Sequence, residues 1–308
     1  MSDIQTYLAK AHAKVNLVLL VGQARQVDGM HPICSWMHSI DLSDTIEIDR
    51  LPESQETAPF SSYSIFWDDG RSVDWEIEDD LAVRAHQLME RDAGRLLPVE
   101  LRVCKSIPAG GGLGGGSADA AAVLVGLNVL FRLGLSLDRL MLLGSLLGSD
   151  VPFFIDPGYS AARSALVSGL GDQVERLGDL GIDLDIANQP ITLVLPAFGC
   201  HTGEVYRAFD DLEPGEHDPE IQRSRVLEMI HADLVRESAL VNELAAASVV
   251  VEPQLGLIQR QLSQQLNTPV HVSGSGSTLV LIGRFDDLDM DLDLGTGGEC
   301  ALVHTKLL

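Results

Sequence analysis

The alternation of apolar and polar residues divides the first half of the chain into strand-like and helix-like segments. Residues 13–22 (AKVNLVLLVG) form an almost unbroken apolar run, whereas residues 44–49 (DTIEID) and 99–107 (VELRVCKSI) alternate with a period of two. Both patterns predict β-strands. Residues 79–93 (DDLAVRAHQLMERDA) have apolar positions three and four apart, which predicts a helix.

A glycine-rich segment follows the last of these strands. Residues 107–128 read IPAGGGLGGGSADAAAVLVGLN, in which six glycines surround Leu113 and an alanine-rich run follows. The alanine and leucine content predicts a helix from about Ser117. A second helix is expected from Ser136, a residue type that caps helix N-termini, to Gly148.

The second half of the chain again alternates strand-like and helix-like segments, but its sequence does not repeat that of the first half. Strands are expected at residues 191–199 and near 270–285, because both segments are rich in apolar and β-branched residues. Helices are expected at residues 203–212 and around 222–234.

Length and composition favour two ordinary domains. A chain of 308 residues with 45% hydrophobic residues can bury a sizeable core, and such chains form one large domain or two smaller ones. The pattern changes near residues 158–165, so we expect an N-terminal domain over 1–160 and a C-terminal domain over 161–308.

The charge of the chain argues against nucleic acid as a partner. Its formal net charge is −24 at pH 7, which would repel a polyanion at long range. The acidic, glycine-containing segment 286–299 (DDLDMDLDLGTGGE) is interpreted as a solvated loop rather than a site.

Cysteine spacing and hydropathy indicate a cytoplasmic protein. The four cysteines are far apart and make no CxxC pair, so neither a disulfide scaffold nor a zinc ribbon is indicated. The start of the chain has no secretory h-region, and no apolar run reaches the roughly 18 residues of a membrane span. We therefore expect reduced thiols, no membrane segment and a cytoplasmic location.

Two familiar glycine motifs fit the loop poorly. A P-loop requires Lys and then Ser or Thr after its last glycine, whereas Gly116 is followed by Ser-Ala. Three of the glycines satisfy the GxGxxG spacing of dinucleotide-binding proteins. That motif also needs an acidic residue about 20 positions further on, where this chain reads LNVLFRLGLS.

The loop is nevertheless suited to hold a phosphate. Glycines let backbone N–H groups converge on an anion, and the N–H groups that open a helix carry partial positive charge. Lys14, Arg25 and Lys105 are cations that would assist. The alternative is a turn that merely lets strand and helix pack closely.

Segments along most of the chain resemble the GHMP small-molecule kinases. PAGGGLGGGSADAA is similar to their phosphate-binding loop, and AKVNLVLLVGQARQVDGMHPI to the opening of the members with a cytidine-linked substrate. The other similar segments, in the family's order from Ala13 to about Ile282, are EDDLAVRAHQLM, GSDVPFFI, PAFGCHTGEVYRAF, NELAAA and VSGSGSTLVLI. The glycine loop is common to the superfamily, whereas DGMH and PAFGCHTGEVY together are typical of the members with a cytidine-linked substrate.

The resemblance implies a fold and a reaction. The fold is α+β, with an ATP-binding N-terminal domain like ribosomal protein S5 domain 2 and a substrate-binding C-terminal ferredoxin-like α/β sandwich. The reaction is phosphorylation of the 2-hydroxyl of 4-diphosphocytidyl-2-C-methyl-D-erythritol, a step of the non-mevalonate route to isoprenoid precursors. The expected cofactors are ATP and Mg²⁺.

The resemblance also implies a catalytic pair, Lys14 and Asp150. Asp150 follows a helix and shortly precedes a proline in SDVPFF, which predicts an extended backbone at this position. Its carboxylate would accept the proton of the acceptor hydroxyl. Lys14 is a cation in an otherwise apolar strand, and if buried it would neutralise charge on the transferring phosphoryl group. The alternatives are an edge lysine and a helix-exit aspartate.

The ATP-binding residues that the resemblance implies are the glycine loop and two flanking groups. They are Pro108, Gly110, Gly111, Gly112, Leu113, Gly114, Gly115, Gly116, Ser117, Leu81 and Lys105. Ser117 has two possible roles, as the N-cap of its helix or as a hydroxyl near the phosphates and Mg²⁺. No carboxylate pair has convincing metal spacing, so the metal is expected to arrive with ATP.

The substrate-binding residues that the resemblance implies lie at four places in the sequence. They are Asn16, Met30, His31, Thr202, Tyr206, Gly274, Ser275 and Gly276. Tyr206 would stack on the cytosine base, and the alternative for Gly274–Gly276 is a simple hairpin turn.

Two positions depart from the family pattern. Met30 stands where tyrosine is common, and Asp80 stands where asparagine is usual near the adenine. Losing a stacking ring costs roughly 1–3 kcal/mol, although a Met thioether can also lie against a ring.

Other functions stay open from the sequence. One is another GHMP kinase, of homoserine or mevalonate type, and one is a nucleotide-binding sensor without turnover, against which Lys14 and Asp150 argue. The expected partners are ATP and a cytidine diphosphate-linked polyol, with neither nucleic acid nor a membrane. The expected oligomeric state is a monomer or a homodimer.

Overall fold

The chain divides into two compact units. The computed structural model describes residues 5–52, 60–212, 218–232, 235, 239–286 and 300–308. Unit 1 consists of residues 1–13, 42–107 and 114–162, and unit 2 consists of residues 14–41, 108–113 and 163–308. The functions predicted for 1–160 and 161–308 are not tested by this division and stay predictions.

Unit 1 combines a sheet with four helices. Its strands are β1 (Thr6–Val21) and β2 (Ile33–Arg50), which both continue into unit 2, β3 (Ser62–Trp67) and β4 (Val99–Lys105). Its helices are α1 (Leu81–Ala93), α2 (Gly115–Leu130), α3 (Leu137–Ser145) and α4 (Val151–Phe154), and a 3₁₀ helix covers Ile77–Asp79. Strand β3 pairs in parallel with β4, β4 pairs antiparallel with β2, and β1 lies beside β2.

Strand β4 shows how the sequence builds the core of unit 1. Its buried positions alternate, and Val99, Leu101, Val103 and Lys105 lie on the buried face. This is the period of two that a strand with one face in the core requires. Lys105 therefore occupies a core position in a series that is otherwise apolar.

Helix α2 confirms the predicted alanine-rich helix but begins two residues earlier, at Gly115. Gly114 is the N-cap, in the left-handed conformation with φ of 73°, and no side chain caps this helix. The prediction that Ser117 caps it is wrong. A left-handed entry favours glycine, and Ser117 is already the third helical residue.

The segments before Asp150 and around it differ from the sequence expectation. Ser136 does cap α3, since its side chain accepts from the N–H of Arg139, but the helix ends at Ser145 instead of Gly148. Asp150 has φ of −85° and ψ of −15°, in the right-handed region, so the predicted extended backbone is wrong. Pro152 stands two residues later in the first turn of α4, where proline is compatible with a helix.

Unit 2 contains a four-stranded antiparallel sheet in the order β11-β7-β10-β9. The remaining strands are β5 (Ala165–Gly169), β6 (Gln173–Arg176), β7 (Pro190–Pro196), β8 (Val241–Asn242), β9 (His271–Val272), β10 (Leu279–Ile282) and β11 (Cys300–Lys306). The helices are α5 (Thr202–Asp211), α6 (Pro219–His231), α7 (Ala245–Val251) and α8 (Pro253–Leu266), with a 3₁₀ helix at Leu177–Leu180. Side chains of α5 and α8, including Val205, Phe209 and Ile258, pack with those of the sheet in one core.

The long strands β1 and β2 also contribute pairs to unit 2. Residues Ile33–Met37 of β2 pair antiparallel with β5, and Val18 and Leu19 of β1 pair in parallel with β8. The strand expected near 270–285 is two short strands, β9 and β10, that pair antiparallel, so residues 273–278 form a hairpin turn. The predicted acidic loop at 286–299 lies, apart from Asp286, outside the described residues. No helix in the described part of the chain is long and apolar enough to cross a membrane.

Candidate active site

Lys14 is a buried lysine held by a hydrogen-bond chain in unit 2. Its side chain belongs to β1 and the residue is 3% exposed, which excludes an exposed edge lysine. Lys14 Nζ donates to Asn16 Oδ1 at 2.6 Å, and Asn16 Nδ2 donates to Ser35 Oγ at 2.8 Å. Ser35 Oγ in turn donates to the carbonyl of Val18 at 2.7 Å. The chain of hydrogen bonds fixes Asn16, and the bond from Lys14 to Asn16 in turn orients the ammonium group.

The hairpin turn between β9 and β10 approaches the same two side chains. A Cβ atom built on Gly274 would lie 3.6 Å from Lys14 Nζ and 3.5 Å from Asn16 Oδ1. The turn is held by Asn242, whose Nδ2 donates to the carbonyls of Val272 and Gly274 at 2.8 and 2.7 Å. The predicted substrate residues Asn16 and Gly274 are thus neighbours of Lys14.

The first part of the glycine loop, residues 108–113, packs against both ends of this turn. A Cβ atom on Gly112 would lie 2.5 Å from the carbonyl oxygen of Ser273, and one on Gly111 would lie 2.7 Å from Thr278 Oγ1. The N–H of Lys14 donates to the carbonyl of Leu113 at 2.9 Å. The loop, the turn and Lys14 therefore form one continuous arrangement within unit 2.

His31 and Tyr206 form an aromatic pair in the same unit. Their ring centroids are 5.0 Å apart with planes inclined by 34°, and Phe209 lies edge-on to His31 at 6.0 Å. His31 Nδ1 donates to the carbonyl of Gly22 at 2.9 Å, and its Nε2 lies 3.4 Å from Asp210 Oδ2. The structure thus brings together two predicted substrate residues that are 175 positions apart in the sequence.

The other predicted substrate residues lie at turns and a helix start. Thr202, the first residue of α5, has its Oγ1 3.0 Å from Ser275 Oγ. Met30 is 50% exposed, and its N–H donates to Asp28 Oδ1 at 3.1 Å in a turn that Arg25 also joins through Asp28.

In unit 1, the N-termini of α1 and α2 meet at Leu81 and Gly116. A Cβ atom on Gly116 would lie 3.4 Å from Leu81 Cδ1. The adjacent Asp80 uses both carboxylate oxygens, since Oδ1 accepts from the N–H of Ala82 at 2.8 Å and Oδ2 from Trp75 Nε1 at 3.0 Å. Asparagine has only one such acceptor oxygen. The aspartate at position 80 therefore gives the start of α1 a second hydrogen bond, from Trp75, where the family commonly has asparagine.

Lys105 is buried between two carboxylates. Its Nζ donates to Asp44 Oδ2 and to Asp119 Oδ2, and the exposed fractions are 3% for Lys105 and 0% for both aspartates. Burial alone would lower the pKa of Lys105, but Asp119 and Asp44 together raise it. Burial raises the pKa of Asp119 well above its usual range, against the opposing effect of Lys105. Neither aspartate is among the site residues predicted from the sequence.

Ser117 and Asp150 are the remaining predicted site residues of unit 1. Ser117 Oγ would lie 3.8 Å from a Cβ atom on Gly148, so the start of α2 is close to the segment that leads to Asp150. Asp150 is partly buried at the start of α4 and its side chain does not cap that helix. Among the described residues, no group of three or more His, Cys, Asp or Glu side chains is arranged to hold a metal ion.

Comparison with known proteins gives the family. Residues 80–158 match the model of the GHMP kinases N terminal domain. A 4-diphosphocytidyl-2-C-methyl-D-erythritol kinase of Bacillus pumilus is 33% identical over 302 residues, which cover 96% of this chain and 95% of that protein. The chain belongs to the 4-diphosphocytidyl-2-C-methyl-D-erythritol kinase family. The enzyme of the same name from Bacillus subtilis is also 33% identical, with the same coverage.

Solved structures agree with membership of this kinase family. A crystal structure of 4-(cytidine 5'-diphospho)-2C-methyl-D-erythritol kinase has a TM-score of 0.70 and 27% identity, covering 97% of this chain and 99% of that one. A homoserine kinase from Cytophaga hutchinsonii has a TM-score of 0.62 at 14% identity, covering 100% of this chain and 96% of that one, which shows the shared fold. The predicted GHMP kinase fold and the predicted small-molecule kinase class are confirmed. ATP is the phosphate donor of this family.

Proposed function

We propose that the protein transfers the γ-phosphoryl group of ATP to the 2-hydroxyl of 4-diphosphocytidyl-2-C-methyl-D-erythritol, in isoprenoid precursor synthesis. The observation that carries the proposal is that relatives bearing this enzyme's name match 96% of the chain. The buried groups around Lys14 support it, because phosphoryl transfer depends on positioned charges more than on covalent chemistry of the protein.

In this proposal Asp150 and Lys14 are the catalytic residues. The acceptor oxygen forms a bond to the γ-phosphorus, the bond from that phosphorus to the β–γ bridging oxygen breaks, and ADP leaves. Asp150 accepts the proton that the acceptor hydroxyl loses. Lys14, which Asn16 orients at 2.6 Å, offsets the negative charge that spreads over the transferring phosphoryl oxygens.

The glycine loop is the proposed phosphate site. Gly110, Gly112 and Gly114 all have positive φ, so successive backbone N–H groups point in directions that other residues rarely allow. The start of α2 has no side-chain cap, which leaves its N–H groups suited to an anion.

The proposed metal cofactor is a Mg²⁺ ion that arrives bound to ATP. Mg²⁺ commonly keeps several waters and takes most of its other ligands from substrate phosphates, with one or two protein groups. We assign Ser117, in the first turn of α2, as the protein group that meets it. When bound, the ion neutralises the β- and γ-phosphate charge.

The cytidine end of the substrate is proposed to bind at His31 and Tyr206. A base stacked on Tyr206 would lie beside His31, whose ring direction is fixed by the carbonyl of Gly22. Thr202 and Ser275, whose hydroxyls are 3.0 Å apart, offer further hydrogen-bonding groups to a polar substrate. Met30 lies in an exposed turn, so base recognition depends mainly on the His31–Tyr206 pair.

A kinase assay with a panel of acceptors tests the substrate. We expect turnover with 4-diphosphocytidyl-2-C-methyl-D-erythritol and none with homoserine or mevalonate. Turnover of homoserine or mevalonate alone would show a different kinase, and ADP binding without any turnover would show a nucleotide-binding sensor.

The variant Asp150→Asn tests the mechanism. It should lower kcat by roughly 10²–10⁴-fold, the range for losing a general base, while calorimetry shows unchanged ADP affinity. Asp138→Asn, at the exposed start of α3, removes one aspartate charge from the same unit and should keep full activity. A kcat of Asp150→Asn near that of the unmodified enzyme would remove Asp150 from the mechanism.

A further inference from the structure

A buried ionic cluster of Asp44, Lys105 and Asp119 lies where strand β4 ends and helix α2 begins. Lys105 is the last residue of β4, and Asp119 lies in the second turn of α2. Asp44 comes from β2, on the strand that pairs with β4. Three elements of unit 1 therefore meet through one ammonium group.

Asp44 also fixes the chain immediately before the glycine loop. Its Oδ1 accepts from the N–H of Ser106 at 2.5 Å and from the N–H of Ile107 at 2.8 Å. Its Oδ2 accepts from Lys105, and a Cβ atom on Gly115 would lie 3.5 Å from that same oxygen. The Asp44 carboxylate thus binds Ser106 and Ile107, directly before the glycine loop, and lies close to Gly115 at its end.

One ammonium group in the cluster serves two carboxyl groups. Two buried carboxylates face one buried ammonium, and Asp119 Oδ1 has no hydrogen-bond partner in the structure as described. An unpartnered buried oxygen costs free energy, so apolar residues would serve stability better. The arrangement instead gives directional contacts, since Asp44 accepts from the N–H of Ile107 and Lys105 joins Asp44 to Asp119 in α2.

We propose that Asp44, Lys105 and Asp119 form a clamp that holds both ends of the glycine loop in the geometry that binds ATP phosphates. Lys105 is then a positioning residue and does not contact the nucleotide. Its ammonium group is 3% exposed and already donates to both carboxylates. This inference rests on the proposed ATP binding but not on the identity of the acceptor.

The double variant Lys105→Met/Asp119→Asn tests the clamp. Removing Lys105 alone would leave the buried carboxylates of Asp44 and Asp119 without their ammonium partner, which is strongly destabilising, whereas the double variant also removes the Asp119 carboxylate and leaves Asp44 with its two backbone donors. We expect ADP to bind at least about tenfold more weakly, because the variant removes the ammonium group that joins Asp44, at the start of the loop, to Asp119 in α2 and so frees the two ends of the loop from each other. Adenosine, which has no phosphate, should bind within about twofold of the unmodified protein.

Three outcomes separate the alternatives. Equal losses for adenosine and ADP would show that Lys105 contacts the nucleoside, and unchanged ADP affinity in a folded double variant would show that the cluster has no role in binding. Either result overturns the clamp. Val103→Ala, a buried change two residues earlier in β4, is the matched control and should lower the thermal midpoint without changing ADP affinity.

Hydrogen exchange in the unmodified protein gives a second test that needs no variant. The amides of Ser106 and Ile107 donate to Asp44, so both should exchange slowly without nucleotide and change little when ADP is added. Fast exchange of these amides in the free protein would overturn the clamp even if the double variant failed to fold. These readouts involve only ADP, so failure of the proposed acceptor chemistry would be seen separately in the kinase assay.

Discussion

Gly111 and Gly112, which precede Leu113, meet different surroundings from Gly116, which follows it. On the N-terminal side, a Cβ atom on Gly112 would lie 2.5 Å from a backbone oxygen and one on Gly111 would lie 2.7 Å from a side-chain oxygen. On the C-terminal side, the nearest atom to such a Cβ on Gly116 is 3.4 Å away, an ordinary contact distance. Gly110 has positive φ but nothing within 4 Å.

The difference separates what the fold requires from what a ligand would require. Gly111 and Gly112 are needed because residues 273–278 pack directly against them, whereas Gly114 is needed for its backbone conformation at the helix entrance. Gly116 is required by neither its conformation nor its neighbours. We propose that a glycine at that position lets a phosphate approach its backbone closely.

Gly112→Ala should have the largest effect, because it combines strain with a clash. A left-handed alanine costs about 1–2 kcal/mol, and overpacking adds about 1–3 kcal/mol. We expect the free energy of unfolding, measured by urea titration, to fall by about 2–5 kcal/mol. Gly110→Ala is the control, since it adds the strain alone, and an equal loss in both variants would show that the contact with Ser273 does not constrain the loop.

Gly114→Val should act mainly on nucleotide binding. A β-branched residue is disfavoured at φ of 73°, so the helix entrance must change shape while the core of α2 stays packed. We expect the protein to fold and calorimetry to detect no ADP binding. Gly94→Val has the same kind of strain at the end of α1, where φ is 64° and the space is open, and should bind ADP normally. Unchanged ADP affinity in Gly114→Val would show that the loop is only structural.

Local patterns in the sequence were enough to predict the elements that carry the loop. The alternation in VELRVCK predicted β4, and the alanine-rich run predicted α2. The same alternation places Lys105 on the face of Val99, Leu101 and Val103, which indicates that Lys105 is buried. The burial of Lys105 was not among the predictions. Its partners Asp44 and Asp119 could not be read from spacing, because Asp44 is 61 residues away and side-chain contacts across a sheet depend on register.

Long-range contacts account for the rest of what the sequence did not predict. Ser273 and Thr278, which explain Gly112 and Gly111, are about 160 residues further along the chain, and only the fold brings them to the loop. Asn242, Ser35 and Asp119 support predicted site residues, although neither their spacing nor the resemblance assigned them a role. The resemblance to a kinase family named His31 and Tyr206 together, and the structure supplies the contact between their rings.

Gly116→Ala should have the smallest effect on stability and is the sharpest test of the comparison. Alanine is better than glycine in a helix by about 0.8–1.0 kcal/mol, and the Cβ atom meets only Leu81 at 3.4 Å. We expect the free energy of unfolding to rise slightly and the ADP affinity, measured by calorimetry, to fall a few-fold. Gly115→Ala is the neighbouring control, because its Cβ atom would lie 2.9 Å from Ile107 Cγ2 and should destabilise the fold. If Gly116→Ala loses stability but keeps full ADP affinity, Gly116 is constrained by the fold after all, and its distinction from Gly111 and Gly112 fails.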